Sequence, residues 1–252
     1  MPQVLYVYAI GKAGHPLPED VDVASIDSDG LTAFYAAVDA VEFSQPVIDA
    51  RSKDVEWLGA IGYRHQTVMS ALMRGGTVIP LRAFTLFANE TSLHNHLKKE
   101  REHFTRLLDR LEGKQEWTLR IEFRPEQWND ALVRRIDSLK KLTDDIAHAA
   151  EGKAYLLRKK LDDEKKRASR EAEEQVVAEV EEVVLKKLAC DTVSESRLQR
   201  GGAFPQINVL INRDEEARLQ ELSEELTRRY EPEGVTLALT GPWPPYTFAT
   251  NG

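Results

Sequence analysis

Histidines, a carboxylate at helical spacing and one cysteine are the residues of this chain with the most evident chemical potential. His65 stands in the stripe Val55, Leu58, Ile61, His65, Val68 and Leu72, whose spacing puts all six on one helical face. An imidazole there could act as a general base, but the spacing sets no nucleophile beside it. A histidine inside an apolar stripe reads as a core residue with one ring nitrogen satisfied. His96, Glu100 and His103 follow at i, i+4 and i+7, which could offer zinc two imidazoles and a carboxylate from one side of a helix. The His-Glu-x-x-His arrangement that would add a general base is absent, and His94 falls on another side. A metal- or small-ligand-binding enzyme built on His65 or on this helix face is the alternative reading; a chance surface grouping without metal is the preferred one. Cys190, alone and followed by Asp191, permits neither an intrachain disulfide nor a cysteine metal cluster, and nothing beside it activates a thiolate. No Walker phosphate loop, dinucleotide glycine fingerprint or Gly-x-Ser-x-Gly elbow occurs, so no cofactor and no catalytic residue is expected.

Composition narrows the setting. With 252 residues, 42% of them hydrophobic, the chain can bury a substantial core and is better sized for two domains than one. A net charge of −8 argues against a broad footprint on nucleic acid or anionic lipid, and no aromatic-glycine motif marks an RNA-binding sheet. The apolar run at residues 4–10 lacks a basic leader and is too short to span a bilayer, so neither signal peptide nor membrane span is expected and the cytoplasm is the default location.

The elements that must position these residues follow from periodicity. Residues 3–10 (QVLYVYAI) read as a buried strand, and Asp29-Gly30 separates two further strands as a hairpin turn. Residues 43–52, with Pro46, read as an irregular connection or an edge strand. A helix over 53–74 ends at Gly75-Gly76, and 77–87 forms two short strands or one bent at Pro80. Asn89 or Thr91 caps a helix through Leu93, Leu97, Phe104, Leu107, Leu108 and Leu111. From Glu116 onward the order is strand, helix, strand, strand, helix, strand. The fold class is therefore α+β with two domains, the C-terminal one a modified ferredoxin-like (βαββαβ) fold with an enlarged helical crossover. Its expected span is 114–239, after an N-terminal α+β domain over 1–113 and before a Pro/aromatic tail over 240–252.

The crossover is dominated by one charged helix over 152–190, on the order of 50 Å long, with an apolar stripe too narrow to bury more than one side. No strict heptad persists through 162–170, so it is not a coiled coil. After it, 191–199 reads as a weak strand, 206–212 as a strong one, 215–230 as a helix facing inward through Ala217, Leu219, Leu222 and Leu226, and 235–239 as the last strand. The tail TGPWPPYTF (240–248) is stiffened by three prolines and is expected to lie extended across the last sheet, burying Trp243, Tyr246 and Phe248, or else to offer them to a partner.

Six stretches carry a resemblance over nearly the whole length: YVYAI (6–10), RHQTVMSAL (64–72), TVIPLR (77–82), EWTLRIEF (116–123), GKAYLLRKK (152–160) and GPWPPYTF (241–248). In this order they resemble the GvpL/GvpF family of gas vesicle proteins. Many relatives read Arg-Phe-Gly-Thr where this chain has Arg82-Ala83-Phe84-Thr85, so the bend there is expected to differ. The resemblance implies a non-enzymatic accessory or minor structural role in forming gas vesicles, the gas-filled protein shells that give cells buoyancy. The implied partners are the main shell protein and other accessory vesicle proteins, with no nucleic acid or membrane. The implied locations are the cytoplasm and the vesicle, including the gas-facing side of its wall. The motif residues taken as candidate contacts are Tyr6, His65, Pro80, Arg82, Tyr155, Gly241, Pro242, Trp243, Pro244, Pro245, Tyr246 and Phe248.

Overall fold

Strand β1 (Gln3–Lys12) is the middle of the first of two sheets, and its unbroken apolar run accounts for this: residues 6–10 are all at most 3% exposed. The computed structural model describes residues 2–195 and 204–250, which divide into two compact units, 1–116 with 242–252, and 117–241. In the first unit β2 (Ala24–Ser28) and β3 (Leu31–Asp39) form a hairpin. Its turn has Asp29 and Gly30 at φ 50° and 88°, the left-handed pair that matches strand twist. β3 pairs antiparallel with β1, and β4 (Val78–Pro80) and β5 (Leu86–Phe87) pair with the other side of β1, giving the order β2-β3-β1-β4 with β5 beside β4.

Three expectations for this unit change. Residues 43–52 hold a helix, α1 (Gln45–Arg51), because Pro46 falls in its first turn, where an amide donor has no partner to lose. In α2 (Val55–Gly75) Trp57 rather than Val55 enters the core, and Val55 is 82% exposed. The Asp54 side chain caps this helix by accepting from the Trp57 amide. Val68, Met69 and Leu72 of α2 pack with Tyr6 and Tyr8 of β1. The next helix breaks in two, α3 (Glu90–Lys99) and α4 (Arg101–Leu111), at Glu100, whose φ −96° and ψ 10° leave the helical region. Asn89 caps α3 with Ser92 reciprocating, and the apolar face of α4 packs on β1, β3 and β4.

The second unit is built on a four-stranded sheet. β6 (Lys114–Phe123) buries Trp117, Leu119, Ile121 and Phe123 on one face, as alternation requires. The helical region after it is two helices, α5 (Pro125–Arg135) and α6 (Asp137–Ala147), separated at Ile136, which turns extended at φ −107°, ψ 110°. α7 (Glu151–Lys187) then runs 37 residues, roughly 55 Å. Its buried side chains crowd into the second half, Val176, Val177, Val180 and Val184, against only Ala154 and Leu161 in the first. β7 (Cys190–Glu195) pairs antiparallel with β8 (Gln206–Asn212); the expected strand beyond 195 and Gly201-Gly202 lie outside the described residues. α8 (Glu216–Tyr230) buries Leu219, Leu222 and Leu226, while Ala217 is exposed. β9 (Val235–Trp243) extends four residues past the expected end. Among the described residues no helix is long and apolar enough to cross a membrane.

One polar chain fixes α5 to α7. Buried Trp128 donates its indole N–H to Ser169 Oγ (3.0 Å), which donates to Glu173 Oε1 (2.9 Å). Ser169→Ala should leave the indole without its partner and cost about 1–2 kcal/mol, read as a lowered urea midpoint at unchanged slope; an unaltered midpoint would mean that this chain contributes nothing.

Candidate functional site

Tyr6, His65 and Tyr246 meet in the first unit, although 181 residues separate the last two. β1 sets Tyr6 toward α2, and α2 presents His65 from the same face as Val68 and Leu72. Tyr6 Oη lies 2.9 Å from His65 Nδ1, and Tyr246 Oη lies 2.8 Å from Nε2. A neutral imidazole has one donor and one acceptor nitrogen, so one phenol donates to the ring and the other accepts from it. Both nitrogens are satisfied, not the single one expected. Burial pushes the His65 pKa down, offset in part by a backbone hydrogen bond at Leu81. Burial also raises Tyr6 to about 12, against a backbone hydrogen bond from Phe84, and raises Tyr246. A general base needs an open nitrogen, and a nucleophilic phenol needs a lowered pKa. This arrangement offers neither, so it acts as a clasp between β1, α2 and the C-terminal segment.

That segment differs from the expected extended tail. Gly241 has φ 143°, and Trp243 ends β9 at 41% exposure. Pro244 and Pro245 are buried, and α9 (Tyr246–Thr250) follows as a single helical turn closed by Ala249 N–H donating to the Pro245 carbonyl (2.8 Å). Proline suits that start because it needs no amide donor there. α9 packs on β4, the strand that Pro80 ends, instead of across the last sheet. Phe248 is 1% exposed. The Glu116 carboxylate, itself buried, accepts from Thr247 N–H (3.1 Å) and from its hydroxyl (2.7 Å). Proline geometry and these two charge-assisted bonds turn the segment into a helix.

Beside the clasp lies an aromatic group that the sequence reading did not assemble. Tyr6 packs with Tyr8 (4.9 Å between centroids), Phe43 (5.9 Å) and Phe84 (6.3 Å), and Trp57 stacks on Phe84 at 5.6 Å. A pocket of about 250 Å³ opens between Tyr6, Tyr8, Phe43 and Trp57, with exposed Arg64 and Glu42 in its lining. Phe84 has φ 64°, the left-handed region that glycine adopts most freely. Arg82 is exposed, and its carbonyl closes this turn by accepting from Thr85 N–H (3.2 Å) and Oγ1 (2.7 Å).

Other candidates stay apart. Tyr155 is 69% exposed on α7, in the second unit. The break at Glu100 disrupts the common face of His96, Glu100 and His103. The His96 ring packs on Phe87 and Phe104, the His103 ring on Phe104, and Glu100 lies 3.6 Å from Lys99. Among the described residues no three histidine, cysteine or acidic side chains group as metal ligands. The contributors missed from sequence are Trp57, Phe84, Glu116 and Thr247, whose partners lie far away along the chain.

Two predictions follow from the clasp and its neighbour. Because the folded His65 binds its proton less readily than the unfolded chain, its share of stability is complete above the ordinary imidazole value of about 6.5 and is lost as pH falls below it. Thermal midpoints measured from about pH 7.5 to 5.5 should decline, and His65→Phe should decline less over that window. For Phe84→Gly, relief of left-handed strain, about 1 kcal/mol, is outweighed by loss of the half-buried ring, about 2 kcal/mol. A net loss near 1 kcal/mol should appear in urea unfolding, whereas a gain would show that the strain dominates.

Comparison with known proteins yields a consistent set of similarities. The family model "Gas vesicle synthesis protein GvpL/GvpF" matches residues 4–250. Gas vesicle protein L of a Streptomyces species is 28% identical over 226 residues, covering 87% of this chain and 80% of that protein. Gas vesicle protein L2 of Halobacterium salinarum is 31% identical over 185 residues, covering 70% of this chain and 65% of that one. The crystal structure of gas vesicle protein GvpF from Anabaena superposes with TM-score 0.74 at 20% identity, covering 98% of each chain.

Proposed function

The chain belongs to the GvpL/GvpF family of gas vesicle proteins, and from that premise we propose that it is a non-catalytic accessory or minor structural component of gas vesicle formation. In this reading it binds the main shell protein and other vesicle proteins during assembly, in the cytoplasm and at the vesicle, where the gas-facing side of the wall is its place if it is retained. The observation that carries the reading is the C-terminal segment. The clasp at His65 and the carboxylate of Glu116 hold its helical turn, while Trp243 just before it remains 41% exposed. A large aromatic on an already ordered backbone binds at low entropic cost, which is what an anchor for an apolar partner requires. The occupied nitrogens of His65 support a binding role over catalysis.

The finer architecture enters on the same footing. We read the order β7-β8-β6-β9, with α5, α6 and α7 in the first crossover and α8 in the second, as a ferredoxin-like plan with an enlarged crossover. The shell contact then belongs to the first unit and its returning C-terminal segment, and α7, with exposed Tyr155, is left for other contacts.

Co-purification with the organism's own main shell protein tests the proposal. Wild type should retain the shell protein, Trp243→Ala should lose at least tenfold in retention with unchanged melting, and Tyr246→Phe should melt lower because it unties the clasp. Equal retention by wild type and Trp243→Ala would remove Trp243 as the contact, and no retention by wild type would remove direct shell binding.

A further inference from the structure

The surface of α7 is charged in two blocks. Residues 151–170 carry eight basic and four acidic side chains, whereas residues 171–187 carry two basic and six acidic. Along the exposed side a stripe at helical spacing runs from Leu156 through Lys160, Arg167, Glu174 and Glu182 to Leu185. Its two terminal leucines are 66% and 48% exposed. Lys160 pairs with Glu164 and Glu182 with Lys186, whereas Arg167, Arg170, Glu171 and Glu174 form no ion pair among the described residues. The internal options at i, i+4, Arg167 with Glu171 and Arg170 with Glu174, run base before acid, the less favourable order on a helix.

The stripe is complementary to itself when reversed. Laying a second α7 antiparallel, with the two-fold axis between Arg170 and Glu171, sets Leu156 opposite Leu185 at both ends and Arg167 opposite Glu174, while Glu182 stays paired with Lys186 of its own helix. Each pairing occurs twice, as an isologous contact demands. We propose that this face of α7 docks a second copy of the same chain in antiparallel register. Polyanions fit it less well, because the half that bears Glu171, Glu174 and Glu182 would repel phosphate. The contact is mostly between exposed charges, so it is weak and salt-sensitive. It is separate from the contact at Trp243, and either can fail without the other.

Sedimentation equilibrium of the full chain between about 10 and 200 µM in about 50 mM salt reads the association directly. The wild type should show a reversible monomer–dimer equilibrium that weakens as salt is raised. Arg167→Glu should raise the dimer Kd at least tenfold, since it sets two like charges together twice, and Arg167→Glu combined with Glu174→Arg should bring it back to within about threefold. Both positions are exposed, and unchanged circular dichroism melts verify that the variants fold. A wild type that stays monomeric throughout overturns the proposal, including one that stays monomeric alone and associates only with another vesicle protein or with nucleic acid. A dimer that ignores Arg167→Glu, or that the double exchange does not restore, overturns it equally.

Discussion

A buried imidazole must find partners for both ring nitrogens or lose the free energy of their hydration, and that requirement organises the first unit. His65 meets it with phenols from opposite ends of the chain, Tyr6 of β1 and Tyr246 of α9. The rings of Tyr8, Phe43 and Phe84 pack against Tyr6, so removing a partner leaves a polar atom of buried His65 facing an apolar setting. The Glu116 carboxylate meets the same requirement through Thr247, the residue after Tyr246. Closure of the C-terminal segment is thus part of the unit's core, and what the segment leaves exposed, Trp243, is held by what it buries.

The second unit follows a different rule. Its core draws on the second half of α7, where four valines face β7 and β8, and spares most of the first half, where the exposed side chains are mostly basic, with acids at Glu151, Asp162 and Asp163 and apolar side chains at Tyr155 and Leu156. A helix of this length cannot bury its whole surface against a four-stranded sheet. The part beyond the sheet keeps its form through helix-favouring Ala, Leu, Lys, Arg and Glu and through its contacts with α5 and α6. Such a helix gives a surface in which charge, not hydrophobicity, distinguishes one end from the other.

Much of this was legible beforehand where one period ran unbroken. The alternation of EWTLRIEF, the Asp29-Gly30 turn and the stripe of α2 all reappear as elements. The breaks at Glu100 and Ile136 were not, because apolar spacing continues across both and only the backbone departs from the helix. Pro46 was misread because proline ends a strand but also opens a helix. Phe84 takes a conformation that glycine adopts freely, and its contacts with Trp57, Tyr6 and Phe43 account for a ring there. The family came from scattered motifs, whereas the site required contacts across 181 and 131 residues that no local spacing encodes.

The account turns on whether the C-terminal segment is built into the first unit, and hydrogen exchange at the amides of Thr247 and Ala249 addresses this most directly. Both donate within the unit, Thr247 to the Glu116 carboxylate and Ala249 to the Pro245 carbonyl. If the clasp holds, these amides are protected to nearly the same free energy as those of β1 and lose that protection in a Tyr246→Phe variant. Exchange of both amides at the rate of an unstructured peptide in the wild type would contradict the account.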